Sequence, residues 1–281
     1  MARRDAGVTS MPEGDTVWLS ARRMHAALAG QILTRSDLRV PRLATVDLVG
    51  RPVDDVMSRG KHMLIRIGGG LTLHTHFKME GSWRLYRPHQ RWTGGADHQI
   101  RAVLGNERWT AVGYRLAVVE LVPTTTEPEI IGHLGPDLLG DDWNADEAVR
   151  RLSDAPDRTI GEALLDQRNL AGIGNLYKAE VLFLRGVHPW TRVGDVDDLH
   201  ALVDLAHRLL DANKERWDQV ITGDLRRGRQ HYVYGRGGEP CRRCGTAIAR
   251  AHQGEGPLTE RVTYWCPTCQ PAPRPWSAGR D

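Results

Sequence analysis

Apolar residues recur at Val17, Trp18, Ala21, Met24 and Leu28, the three-and-four spacing of one helix face, and Gly30 follows where such a helix would stop. Asp15, just ahead of that face, is the predicted N-cap. From residue 31 to about 122 the period shortens. Apolar or alternating runs at 63–67, 71–76, 99–104 and 116–121 are separated in several places by glycines at 68–70, 94–95 and 105. Short runs punctuated in this way predict an antiparallel β-sandwich with the first helix at its edge. A shift in composition begins at Pro123 and runs to Asp142; it is predicted as a linker. Helical patterning returns beyond it. Asn144 with Glu147, and Thr159 with Glu162, have the spacing of capping boxes, while Leu199, Leu202, Val203, Ala206, Leu209 and Leu210 mark a further helix. The fold class is α+β, with the sandwich first and the helices after it.

At 281 residues the chain has room for two modest domains, and 40% hydrophobic with 26% charged residues is the balance of a globular protein. No apolar run reaches the 18 residues of a membrane-spanning helix. Arg3 and Arg4 are followed by no apolar stretch, so no secretory signal is expected and the cytosol is the expected compartment. A net charge of +3 does not by itself imply nucleic acid. Its distribution says more: from residue 222 onward ten arginines face five acids, with Arg226, Arg227, Arg229, Arg236, Arg242 and Arg243 close together. That cluster reads either as a solvated basic surface or as a groove for phosphates.

All four cysteines lie late, as Cys241-x-x-Cys244 and, after 21 residues, Cys266-x-x-Cys269. Two such pairs supply the four thiolates of one tetrahedral structural zinc, each pair on its own turn. Disulfides fit a cytosolic chain poorly, and no βαβ pattern surrounds either pair to suggest a redox motif.

Met11-Pro12-Glu13-Gly14-Asp15 carries the most chemistry. Were Met11 the start, methionine removal would expose Pro12 as a secondary amine with a carboxylic acid beside it, able to form an iminium with an electrophilic carbon. Residues 1–10 turn that nitrogen into an unreactive amide. Further along, Gly172 and Gly174 permit a tight double turn ahead of Asn175, which is predicted to cap the next helix and leave free amides suited to a phosphate. Gly60-Lys61 sits between two apparent strands, and Lys61 is one of only four lysines. His74-x-His76 ends a strand with no third ligand at metal-binding spacing in the sequence; Met79, after Lys78, reads as an ordinary turn or as an apolar wedge between bases. Arg261 lies inside the cysteine hairpin, where a metal could hold its guanidinium rigid for phosphate.

The order of these features is more specific than any one of them. A Pro-Glu start, a Gly-Lys turn, a Met-x-Gly strand end, an Ala-Gly-x-Gly-Asn double turn and a four-cysteine ribbon follow one another from Met11 to Gln270. The chain resembles the formamidopyrimidine-DNA glycosylase/endonuclease VIII family of base-excision repair enzymes. The closest segments are Asp166-Gln-x-x-Leu-Ala-Gly-Ile-Gly-Asn-Leu-Tyr177, Gly237-Gly-Glu-Pro-Cys-x-x-Cys244 and Thr263-Tyr-Trp-Cys-Pro-x-Cys-Gln270. Pro-Glu-Gly-Asp looks more like the endonuclease VIII branch.

The resemblance implies a catalytic β-sandwich domain at 12–122, a linker at 123–143, a helix–two-turn–helix DNA-binding domain at 144–235 and a zinc-finger hairpin at 236–270. Residues 1–11 would be an extension absent from the mature protein, and 271–281 a flexible tail. The implied activity is a DNA glycosylase and abasic-site lyase that extrudes an oxidised pyrimidine, attacks the sugar C1′ through the Pro12 amine and nicks the strand by β,δ-elimination. Glu13 would protonate the opening sugar. Lys61 and Arg261 would act beside it on the flanking phosphates, with Asn175, Gly174 and His98 on the DNA backbone and Met79, next to Lys78, filling the gap left by the base. One structural zinc would sit on Cys241, Cys244, Cys266 and Cys269. The implied partner is damaged DNA, single- or double-stranded, bound by a monomer in a bacterial-type cytosol in association with the nucleoid. Three departures stand out: Thr16 replaces a second glutamate common in the endonuclease VIII branch, Gly113-Tyr-Arg115 replaces an Arg-Phe wedge, and the 21-residue gap in the ribbon is long. If residues 1–10 stay on Pro12, the alternative is a non-catalytic DNA-binding protein on the same scaffold. A bare zinc-ribbon adaptor leaves Pro12-Glu13 and the double turn unexplained.

Overall fold

A computed structural model describes residues 12–254, 256 and 260–272. The expected extension at 1–11, and the expected tail from 273 onward, lie outside the described residues. The first helix, α1 (Gly14–Leu28), is followed by eight strands: β1 (Arg35–Leu38), β2 (Val53–Arg59), β3 (His62–Ile67), β4 (Leu71–His76), β5 (Ser82–Tyr86), β6 (Ile100–Gly105), β7 (Thr110–Tyr114) and β8 (Val118–Pro123). They form two antiparallel four-stranded sheets, ordered β1-β6-β7-β5 and β2-β3-β4-β8. Met63, Ile65 and Ile67 of β3 alternate inward with period two, meeting Val17, Met24 and Leu28 of α1 and Leu104 and Ala111 of the other sheet. Each such fully buried side chain contributes roughly 1.5–3 kcal/mol. The run at 116–121 predicted the last strand two residues early, because Leu116 turns into the core before pairing begins at Val118.

Asp15 does not cap α1. Glu13 holds the N-cap position and Asp15 lies in the first turn, buried, where its carboxylate accepts the Tyr177 hydroxyl at 2.6 Å and the Gln219 amide at 2.9 Å. Tertiary partners outcompete the local cap.

The stretch at 123–143 carries a short helix, α2 (Glu127–Ile131), pinned to the outer face of the second sheet. The Glu127 carboxylate takes the Arg66 guanidinium, at 2.7 and 3.0 Å, and the Thr72 hydroxyl at 2.6 Å. Further on, Asp137 accepts the backbone N–H of Gly60 at 2.6 Å. The two halves of the chain are therefore hydrogen-bonded across this stretch.

Helices α3 (Ala145–Ser153), α4 (Ile160–Leu165), α5 (Asn175–Arg185) and α6 (Leu199–Asn213) enclose a second core around Leu176, Leu182, Phe183, Val203 and Leu210. Asn144 caps α3 by accepting the Glu147 N–H at 2.9 Å, but the Glu147 carboxylate turns outward to Arg150 and Arg151. Thr159 makes no cap bond: its hydroxyl goes to the Glu162 carboxylate and also receives the Gln253 amide. A hairpin, β9 (Ala249–Gln253) and β10 (Arg261–Trp265), follows. Glu180, wholly buried in α5, accepts the N–H groups of Tyr232, Val233 and Tyr234, each at 2.8 Å, and so fixes the chain leading into that hairpin. No helix among the described residues is long and apolar enough to cross a membrane.

Candidate active site

Glu13 joins the two halves. Its side chain is 1% exposed, and its carboxylate accepts the N–H of Gly174 at 2.7 Å and of Leu176 at 2.7 Å. A residue from the start of the sandwich thus caps α5, where unsatisfied amides and the helix dipole favour negative charge. The glycines of the double turn make this approach possible. A Cβ on Gly174 would lie 2.4 Å from Glu13 Cδ, and one on Gly14 would lie 2.9 Å from Gly172 Cα. Gly172 also has φ +102°, a backbone that favours glycine.

The prediction for Asn175 is corrected here. It is the first helical residue, not the cap, and its Nδ2 donates to the Val262 carbonyl at 2.8 Å. Two of the amides expected to be free for phosphate are taken by Glu13. The Asn175 Oδ1 is buried with no partner among the described residues.

Burial pushes the Glu13 carboxyl up to about 7, with the Lys61 ammonium and the two amide bonds opposing that rise. Lys61 stands in the two-residue β2–β3 turn, entered through Gly60 at φ +55°. Burial pushes its ammonium down; Glu13 supports the charge and Arg261 opposes it, which places Lys61 in the fields of both. Arg261 is the first residue of β10, with its guanidinium donating to the Glu260 carbonyl at 2.7 Å.

Pro12, partly buried, opens onto a cavity of about 900 Å³ that is also lined by Thr16, Ser20, Arg23, Met79 and Trp217. Met79 is 55% exposed. It follows Lys78, whose φ of 53° is held by a bond from its N–H to the His76 imidazole at 2.9 Å. Arg115, another left-handed residue with φ 48°, reaches the Glu80 carbonyl and the Gln99 side chain, bracing the Met79 turn. His98 is exposed in the turn at Asp97–Gln99 and does not line the cavity. The structure therefore brings Pro12, Glu13, Lys61, Arg261, Gly174 and Asn175 together, puts Met79 on the cavity wall with Lys78 beside it, and leaves His98 outside it.

Some residues went unread in the sequence. Lys178, fully buried, donates to the Thr263 hydroxyl at 2.7 Å and so ties α5 to the hairpin carrying Arg261. Burial pushes its ammonium down to about 7, with Glu13 supporting the charge and Arg261 opposing it. A lysine and a glutamate, Lys178 and Glu180, in an otherwise apolar run were the available signal. The histidine pair does gain partners: His62 Nδ1 meets His74 Nε2 at 2.9 Å, His74 Nδ1 meets Glu120 at 3.1 Å, and His133 packs nearby. Those partners are far apart in sequence, and the ring nitrogens serve one another.

Among the described residues, the group placed to hold a metal is Cys241, Cys244, Cys266 and Cys269, whose sulfurs all lie within 4.8 Å of one another. Pairs at 4.0 Å (Cys241 and Cys269) and 3.4 Å (Cys244 and Cys266) bracket the ~3.8 Å that four Zn–S bonds of about 2.3 Å would impose. The donor set fits zinc.

Comparison with known proteins agrees with this architecture. Residues 11–115 match the formamidopyrimidine-DNA glycosylase N-terminal domain, 134–213 the formamidopyrimidine-DNA glycosylase H2TH domain, and 238–272 the zinc finger found in FPG and IleRS. A probable endonuclease 8 2 of Streptomyces coelicolor is 57% identical over 96% of this chain and 98% of its own length. The DNA-(apurinic or apyrimidinic site) lyase Nei2 of Mycolicibacterium smegmatis is 49% identical over 93% of this chain and all of its own. Lactococcus lactis Fpg, solved with N7-benzyl-Fapy-dG DNA, shares the fold at a TM-score of 0.78 and 24% identity, over 93% of this chain and all of that one. A β-sandwich joined through a helical double turn to a cysteine hairpin is the architecture of a DNA-repair glycosylase. The chain belongs to the formamidopyrimidine-DNA glycosylase family, among relatives named endonuclease 8.

Proposed function

We propose that this protein is a bifunctional DNA glycosylase and abasic-site lyase acting on oxidised pyrimidines. The observation that carries this reading is the Glu13 carboxylate, buried on the α5 amides with its acid form populated near neutrality, directly after Pro12 at the cavity wall. With a free amine, Pro12 attacks the sugar C1′ of an extruded nucleotide. The C1′–base bond breaks and its electron pair leaves with the base, while Glu13 gives a proton to O4′ as the sugar ring opens. The resulting iminium acidifies C2′; loss of that proton expels the 3′ phosphate, and a second elimination expels the 5′ phosphate.

Lys61, Arg261 and Asn175 hold the phosphates on either side, Gly174 and Lys78 support them, and Met79 fills the vacated stack. His98 contacts the backbone at the edge of the footprint. Zinc on the four cysteines keeps the hairpin rigid, and a site closed by four sulfurs leaves no open position for chemistry. The name of one relative, a DNA-(apurinic or apyrimidinic site) lyase, supports the lyase step. The protein acts as a monomer in the cytosol, near the nucleoid, on damaged duplex or single-stranded DNA.

Borohydride trapping on abasic-site DNA tests the reading. A protein beginning at Pro12 should give a covalent adduct that Pro12→Gly abolishes; no adduct would overturn it. The 281-residue chain with residues 1–11 retained should bind the same DNA without trapping.

A further inference from the structure

Five large apolar side chains are exposed among the described residues: Ile32, Val49, Met79, Trp217 and Leu225. Two of them, Met79 and Trp217, line the cavity beside Pro12. Trp217 is 51% exposed, yet the segment that carries it is firmly held. Glu215 pairs with Arg22 at 2.7 Å, and the Lys214 ammonium lies 5.2 Å from the Trp18 ring. Gln219, buried, donates to Asp15, two residues from the Glu13 carboxylate. Arg23 of α1 lies over the Trp217 ring itself, 4.6 Å from its centroid. An indole in water costs free energy, and four separate contacts to α1 keep this one on the cavity wall.

We propose that Trp217, braced by Arg23, is the platform on which an extruded base stacks, making it the residue through which the site senses that a base is present. This rests on the glycosylase reading above. A cavity of about 900 Å³ is far larger than one pyrimidine, so hydrogen bonds alone would leave the base loosely held. A flat aromatic surface restrains it at little entropic cost, and every base has a face to offer. The Arg23 guanidinium on the indole holds the ring in place through its quadrupole. An abasic sugar has nothing to stack, so Trp217 contributes only when a base is there.

The test is equilibrium binding by the zinc-loaded protein in a Pro12→Gly background, using duplexes that carry 5-hydroxyuracil or a base-free tetrahydrofuran residue. Trp217→Ala should lower the ratio of base-containing to base-free affinity roughly 10- to 100-fold, and Trp217→Phe by far less. A ratio unchanged by Trp217→Ala, whether both affinities hold or both fall together, overturns the proposal. Failure of borohydride trapping by the unblocked protein overturns the catalytic reading instead, and leaves the affinity ratio readable.

Discussion

The Glu13 carboxylate and the Leu176 amide, 163 positions apart, meet at 2.7 Å. This contact makes the residue next to the proposed nucleophile the cap of the helix that follows the double turn. Chemistry and domain docking therefore depend on one side chain.

Glu13→Gln should lower single-turnover base excision by at least about 100-fold, the scale of a lost general acid. Folding should be largely kept, since the amide oxygen still accepts one N–H. With the acid at about 7, wild-type excision should decline as pH rises above 7, as the proton to be donated is lost. The raised carboxyl also means that the folded state holds this proton more tightly than the unfolded chain. Stability from Glu13 is thus full below about 4.5 and is lost as pH rises through about 7. A pH–rate profile and urea midpoints across that range check both signs.

Gly174→Ala should displace Glu13, because the new methyl would lie 2.4 Å from its carboxyl carbon. We expect a loss of about 1–3 kcal/mol in urea unfolding and a deeper loss in trapping. Wild-type trapping by this variant would show that Glu13 can leave the amides without consequence.

Lys178→Met tests the buried ammonium. Its lowered value, about 7 against 10.5, means that the unfolded chain binds the proton more tightly between those limits. Wild-type stability should therefore rise as pH goes from 7 toward 10, by on the order of 1 kcal/mol per unit at most. The variant should lack that rise, as read from denaturant midpoints at pH 7 and 9.

Stripping the metal should free the hairpin that carries Arg261 and weaken DNA binding about tenfold or more, with one zinc released per chain in a colorimetric assay. Separately, Arg261→Ala should reduce the slope of log affinity against log salt by about 1, the share of one phosphate contact. An unchanged slope would assign Arg261 elsewhere.

Local signals were legible. The α1 stripe, the α6 stripe and the short strands each depend on residues within a dozen positions, and the two cysteine pairs on a spacing of three within each pair; the structure keeps them. Capping was less so: Asp15 and Asn175 fall inside their helices and bond to distant Tyr177 and Val262, while Thr159 holds an N-cap position but spends its hydroxyl on the Glu162 carboxylate and the Gln253 amide. A cap bond stabilises by about 1 kcal/mol, which a buried tertiary contact readily exceeds. His74 lacked a third histidine in its own segment because His62 arrives by strand pairing and His133 from the stretch that follows α2.

The sequence alone determined which residue types are available and in what local order: a Pro-Glu pair, a glycine double turn, a four-thiolate hairpin, two hydrophobic periods. Tertiary structure decided what those groups meet. It set Glu13 on the α5 amides, Lys178 on Thr263, Asp15 between Tyr177 and Gln219, and Trp217 on the wall of the Pro12 cavity. The reason is physical. Periodicity reports which face is buried, whereas the burial that raises the Glu13 carboxyl, the amide bonds that oppose it and the seat of Trp217 against Arg23 bring together segments 160 or more residues apart.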